Sequence, residues 1–318
     1  MQSSFQGKVF VVTGATSGIG LAAAQGLARL GGSVIGVGRS VERCRVLEAN
    51  LRGLNPEGLH RCCVADLALQ SQVRGLAREI RTILADWRRP GPAGLDGLVN
   101  NAGTFTYWLA LTAEGFETQW AVNHLAPFLL THELLPVLRS APGGWPARIV
   151  TVSSESHAGV SLRWEDIQLR RRYDGLLAYR QTKLANILFT GELNRRLGAG
   201  AGVRAFAADP GLVKTDIGYK GTPGMVRWFW NLRRSAGDPP EVAARNILFL
   251  LDPENTEKAG FHSDGDLPAY WRDCAPKQPS RQARDGEAAR RLWEMSERMC
   301  GMQTTQYLPA SQLQLEVA

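Results

Sequence analysis

The chain has 318 residues, enough for one large α/β domain or two ordinary ones, and its 44% hydrophobic and 21% charged residues exclude disordered and fibrous classes. No stretch approaches the roughly 18 apolar residues of a membrane-spanning helix. The net charge of +7 is spread over small groups (Arg88-Arg89, Arg170-Arg171-Arg172, Arg233-Arg234, Arg290-Arg291), without the long basic run or aromatic-interleaved module that recognition of nucleic acid favours.

The opening MQSSFQGKVFVV runs straight into a strand pattern with no signal-peptide core or cleavage site, so a cytoplasmic protein is expected. Apolar runs at 8–13, 33–37, 59–65, 97–99, 148–153 and 203–208 read as buried strands. Between them lie helical patterns at 19–30, 40–51, 70–87, 114–138 and 176–197. Strands that are hydrophobic throughout and alternate with helices predict a parallel sheet covered on both faces, a doubly wound, three-layer α/β/α sandwich of Rossmann type. RRPGPAG at 88–94 resembles a linker, but the alternation continues through it and a surface loop is expected. An aromatic, basic stretch at 225–234 follows, then helices at about 239–251 and 284–300, before a polar end.

Five cysteines, an odd number with no CxxC pair, predict reduced thiols and no zinc site. His60, His124, His132, His157 and His262 lack metal-ligand spacing, and no metal is expected. No GxSxG elbow is present, which disfavours an α/β-type serine hydrolase.

The segment TGATSGIG sits directly between the first strand and the first helix. Gly14, Gly18 and Gly20 permit a tight turn and close backbone approach, and Thr16, Ser17 and Ile19 place free N–H groups at a helix N-terminus, an environment suited to a pyrophosphate. The second strand ends Gly38-Arg39-Ser40 with no carboxylate for a ribose 2′-hydroxyl; Arg39 would pair a 2′-phosphate, favouring NADP(H), with NAD(H) still open. Asp66-Leu67 after the third strand and Asn101-Ala102-Gly103 after the fourth lie at the carboxyl edge where such sheets bind ligands. Either is as good a loop cap as a contact.

Tyr179 and Lys183 are spaced i, i+4 on a predicted helix and share a face. A phenol with a pKa near 10 is a weak acid–base catalyst at neutral pH, and an adjacent ammonium would stabilise its phenolate. Ser154, at the end of the fifth strand, offers a hydroxyl to polarise a carbonyl.

TGATSGIG, Asp66-Leu67, NNAG, VNHLAPFLLT, TVSS, AYRQTKLAN and DPGLVKT, in that order, resemble the short-chain dehydrogenase/reductase family over residues 7–265. SSESHAG, an insertion, and AYRQTKLANILF are similar to its retinol-dehydrogenase-like branch. The resemblance implies an oxidoreductase interconverting a carbonyl and an alcohol by hydride transfer, its substrate a lipophilic, retinoid- or lipid-like aldehyde or ketone. It implies Tyr179 as proton donor and acceptor, with Lys183 depressing its pKa and holding the nicotinamide ribose. Ser154 would bond the substrate oxygen, and Asn123 would keep a water against the lysine. Asn101 would lie near the adenosine, and Pro210, Gly211, Val213 and Thr215 near the nicotinamide carboxamide.

The family places a substrate lid at about 212–237, where Trp228, Phe229 and Trp230 suit a lipophilic substrate and equally a membrane interface. Residues 1–270 are thus expected to form the catalytic domain and 271–318 an appended helix and loose tail. Members pair through the two long helices beside the site, so a homo-oligomer is a further expectation. Two departures stand out: Leu21 replaces a basic residue common after the glycine loop, and Pro127 replaces a frequent histidine. Membrane-associated members carry a hydrophobic anchor before the first strand, whereas only a short segment precedes it here. An idle dinucleotide-binding sensor or scaffold is the alternative, though it has no need of the Ser154, Tyr179, Lys183 and Asn123 set.

Overall fold

A computed structural model describes residues 5–91, 93–139, 141, 146–198, 201–213, 237–259 and 270–302. Six strands fall where the apolar runs predict: β1 Val9–Thr13, β2 Ser33–Gly38, β3 His60–Val64, β4 Gly97–Asn100, β5 Ala147–Val152 and β6 Val203–Asp209. With β7 Tyr270–Arg272 and β8 Ala275–Pro276 they form one sheet ordered β3-β2-β1-β4-β5-β6-β7-β8. Every pairing is parallel except β7 with β8.

The strands are apolar throughout because both faces are covered. On β1, Val9 and Val11 belong to one core cluster, and Phe10 and Val12 to the other. Helices α1 Gly18–Arg29 and α2 Val41–Leu54 cover one face. Helix α3 Gln70–Trp87 contributes Val73, Leu76 and Ile80 to the other. The crossover from β3 to β4 reverses the direction of winding beside β1, which opens a crevice at the carboxyl ends of β1 and β4.

The single helix expected over 114–138 is three pieces: α4 Thr118–Trp120, a π-helical turn Ala121–Leu125, and α5 Ala126–Arg139. It starts late because Glu117 caps it, accepting from Gln119 N–H at 3.0 Å and Trp120 N–H at 2.6 Å. Glu114 instead turns to the α3 N-terminus, accepting from Gln70 N–H at 2.6 Å and Ser71 N–H at 3.1 Å, where an anion is favoured. The long helix α6 Gly175–Leu197 is buried on nearly all sides, and α7 Pro240–Leu251 packs against α1. A short α8 Pro253–Lys258 follows.

The sequence boundary at residue 270 falls at the first residue of β7, whose Tyr270 pairs with Ala207 and whose Trp271 is fully enclosed. The helix expected near 284–300 is α9 Gly286–Met299. It packs along α6, with Trp293 edge-on to Phe128 at 5.0 Å and stacked on Phe189 at 5.9 Å. The polar end from 303, and the central part of the expected lid with Thr215 and Trp228, lie outside the described residues. No described helix is long and apolar enough to cross a membrane, and no described group of His, Cys, Asp and Glu could hold a metal ion.

Candidate active site

The glycine loop is built as a cradle. Gly14 and Gly18 take left-handed backbone at φ +66° and +54°, which favours glycine. A Cβ on Gly20 would come within 2.4 Å of both the Gly14 carbonyl oxygen and Asn101 Nδ2, so only glycine closes the turn. The first N–H groups of α1 have no partner inside the helix. Ser17, the residue before it, makes no side-chain cap, and the first turn holds no acidic residue. These unmet donors at a helix N-terminus fit a dinucleotide pyrophosphate.

Around the cradle the sequence candidates take different roles. Arg39 is exposed just past β2 and pairs with no other described residue, so its guanidinium can meet a 2′-phosphate. Leu67 is buried, and Asp66 turns one carboxylate oxygen to its own loop, accepting from Ala68 N–H at 3.1 Å. Asn101 is a strut: its Nδ2 donates to the Thr13 carbonyl at 2.8 Å and its N–H to Thr13 Oγ1 at 3.0 Å, clamping β4 to β1. Ala102 donates its N–H to the same hydroxyl, and Gly103 is the next residue in the chain. Pro210 and Gly211 follow β6 directly, with Gly211 at φ +72°, and Val213 bridges to Asp238.

Ser154 follows the end of β5, and Tyr179 and Lys183 lie on α6, which packs against the turn that Ser154 begins. Ser153 Oγ donates to the Lys183 carbonyl at 2.7 Å. Arg180, next to Tyr179, donates to the Ser156 carbonyl at 3.0 Å and the Ala158 carbonyl at 2.7 Å, binding the helix to a 3-10 turn, Glu155–His157. Ser154 heads that turn. Its Oγ accepts from Ser156 N–H at 3.2 Å.

Lys183 Nζ donates to the Val152 carbonyl at 3.0 Å and faces the Tyr179 ring, 5.4 Å from its centroid. The expected lowering of the phenol pKa is therefore not what this arrangement yields. Burial, with the Asp209 charge acting in the same sense, pushes Tyr179 up to about 12. Burial likewise pulls Lys183 down to about 8, with Asp209 opposing it. The ammonium rests against a carbonyl and the ring face, not the hydroxyl, so desolvation dominates.

Asn123 lies on the π turn, a distortion frequent at functional sites. Its amide is spent on scaffold: Oδ1 accepts from Thr104 N–H at 2.7 Å, while Nδ2 donates to the Thr104 carbonyl at 2.9 Å and Thr182 Oγ1 at 3.2 Å. It pins the loop after β4 to α6 and does not reach Lys183 with its side chain.

Three neighbours escaped the sequence reading. Phe105 packs edge-on to Tyr179 at 6.0 Å. His157 accepts from Ser280 N–H at 3.1 Å through Nε2, which leaves Nδ1 to donate to the Ser154 carbonyl at 2.8 Å. Asp209 is buried at the end of β6. Its acidic side chain in DPGLVKT was the one available signal; nothing in the spacing links His157 to Ser280.

A parallel sheet with a glycine cradle after β1, and a Tyr179–Lys183 contact on the helix packed at the end of β5, are the features of a dinucleotide-dependent oxidoreductase. The profile described as short chain dehydrogenase matches residues 8–224, and the chain belongs to the short-chain dehydrogenase/reductase family. It is 36% identical to retinol dehydrogenase 13 of Mus musculus over 315 residues, covering 95% of this chain and 86% of that protein. Polyprenol dehydrogenase of Mus musculus is 36% identical over 301 residues, 93% and 84% of the two chains. Among solved structures, an uncharacterized protein from Mycobacterium Paratuberculosis superposes with a TM-score of 0.70 at 34% identity, over 96% of this chain and 97% of that one. The chain is thus a retinol-dehydrogenase-like member, an NAD(P)-dependent oxidoreductase that interconverts alcohols and carbonyls in small-molecule substrates.

Proposed function

We propose that the protein is an NADP(H)-dependent oxidoreductase acting on lipophilic aldehydes or ketones and the corresponding alcohols, with Tyr179 as the acid–base group. The observation that carries this reading is the contact of Lys183 with the Tyr179 ring on a helix tied to the end of β5 and to the turn that Ser154 begins. When bound there, the nicotinamide supplies or accepts the hydride. Pro210 and Gly211 would border it, as would Val213 and Thr215, the last outside the described residues.

Ser154 donates its O–H to the substrate oxygen and holds it beside Tyr179. In reduction the Tyr179 hydroxyl gives its proton to that oxygen; in oxidation the phenolate takes one back. A phenol held near 12 keeps its proton at neutral pH, as reduction requires, while oxidation needs added positive charge. The Lys183 ammonium supplies part of that charge, and an oxidised nicotinamide would supply more.

The substrate class rests on the exposed apolar loop after Phe105, which we read as the mouth of the cleft. Tyr107 and Trp108, in edge contact at 4.9 Å, continue the loop whose Phe105 touches Tyr179. A Cβ on Gly175 would meet Thr106 and Tyr107, which places Leu176 beside them. These side chains and Leu212 leave apolar surface exposed, Trp108 to 65%. Retinoid or polyprenoid chains, named for the relatives, match that rim; Trp228 would extend it.

Arg39 carries the choice of NADP(H) over NAD(H). Titration of NADPH and NADH by fluorescence, on wild type and Arg39→Ala, tests it. An NADPH preference that collapses in the variant supports the assignment, and equal affinities unchanged by the substitution refute it. Turnover confined to small polar sugars or hydroxy acids would overturn the substrate class.

A further inference from the structure

We propose that Asp209 is the counter-charge that keeps the buried Lys183 ammonium protonated, making it a positioning residue that acts through Lys183. This rests on the catalytic reading above and deepens it.

The geometry begins with strand register. Val152, whose carbonyl holds Lys183 Nζ, pairs with Ala208, so Asp209 is the next residue on the neighbouring strand. Ser153 locks the same point by donating its N–H to the Ala208 carbonyl at 2.8 Å. The Asp209 side chain is fully enclosed at the end of β6.

Its carboxylate is held from several directions. Oδ1 accepts from Gly211 N–H at 3.1 Å, and Oδ2 accepts from the Tyr270 hydroxyl at 2.9 Å. From β7, Arg272 approaches Oδ2 at 3.7 Å, and Lys277 beyond β8 approaches it at 3.8 Å. Lys277 is also paired with Glu155, and Arg272 with the exposed Asp273. His157 is kept neutral by burial. From α6 come Tyr179 and Lys183 themselves.

The charge balance decides the effect. Asp209, Glu155 and Asp273 match Arg272, Lys277 and Lys183 in number, so each carboxylate counts in the balance. Without the Asp209 charge, three cations would face two anions, and Lys183 would shed its proton more readily. Burial already draws Lys183 down to about 8, and the Asp209 charge is the influence working against it. Much further lowering would leave the lysine neutral at physiological pH, unable to stabilise a phenolate.

The test is an NMR titration of lysine Cε in the cofactor-free protein, with Lys183→Arg assigning the resonance. Asp209→Asn preserves size and removes charge; the Lys183 midpoint should fall by about one pH unit. The rise of oxidative kcat/KM with pH should move the same way, because the pair then loses its first proton at lower pH whichever partner releases it. Tyr270→Phe removes the hydrogen bond but keeps the charge, and should leave the midpoint in place.

An unmoved midpoint in Asp209→Asn overturns the proposal, as does an equal shift in Tyr270→Phe. If Asp209→Asn does not fold, Asp209→Ser, which also removes the charge, is titrated in its place and should lower the midpoint; no movement there also overturns it. Turnover retained by Tyr179→Phe would instead sink the catalytic reading and leave the titration result standing.

Discussion

Lowering the pH from 7.5 to 5.5 should destabilise the fold through buried histidines. His124 is fully enclosed, in contact with the Trp120 ring at 4.7 Å, and burial holds its pKa down to about 3. Its Nε2 donates to Ser296 Oγ at 2.8 Å, because the Ser296 proton is already given to the Leu292 carbonyl. His132, largely enclosed, is held down to about 4, again by burial. The unfolded chain binds a proton at each ring near 6.5, whereas the folded chain resists until far lower. The stabilisation is therefore complete above about 6.5 and is lost as the pH falls below it.

At pH 5.5 each histidine costs about 1.4 kcal/mol, together about 2.8 kcal/mol. His60 and His157, also lowered by burial, act in the same direction. Glu117, raised by burial, opposes them, but carboxylates titrate mainly below this window. Urea unfolding at both pH values, followed by tryptophan fluorescence, measures the loss. His124→Asn and His132→Asn should each reduce the pH-dependent part by about 1.4 kcal/mol, whatever they cost in packing. Equal stability at the two pH values, or an undiminished loss in both variants, would refute the reasoning.

Gly20→Ala should weaken dinucleotide binding roughly tenfold or more, since the new methyl presses on the Gly14 carbonyl and Asn101; an unchanged titration would contradict the cradle. Trp293→Ala removes a ring stacked among Phe128, Phe189 and Arg196 and should cost about 3–5 kcal/mol in denaturant unfolding. Glu114→Ala strips two N–H acceptors from the start of α3 and should cost about 1 kcal/mol in the same assay. Trp108→Ser should raise KM for long-chain substrates and leave short-chain ones unaffected; equal effects on both would detach the rim from specificity.

Much of this architecture was legible because a parallel sheet buries both faces of each strand. Runs such as VFVVT and ARIVTV therefore stand out against the helices between them. β7 was not legible: YWR is three residues long and ends in an arginine, and only pairing with β6 makes it a strand. The π turn was equally hidden, since AVNHL carries the same apolar spacing as the helix it interrupts. In the site, Tyr179 and Lys183 stood out through the ordered motifs around them, since i, i+4 spacing alone recurs by chance in many helices. The tasks of Asn101 and Asn123 could not be read, because an amide that clamps two loops and one that contacts a ligand look alike in sequence. His157 and Asp209 depend on partners over a hundred and about sixty residues away, and no local pattern reports such distances.

The clasp between α9 and α3, where Gln70 donates to the Met299 carbonyl at 3.0 Å and Arg74 to that of Cys300, joins residues more than two hundred positions apart. During synthesis, a chain grown as far as Val213 would present an open β6 edge and an uncovered α6. At ordinary elongation rates that exposure lasts about five to twenty seconds before Met302 is made. Throughout that interval the β6 edge and the α6 face lack the partners that β7 and α9 later provide.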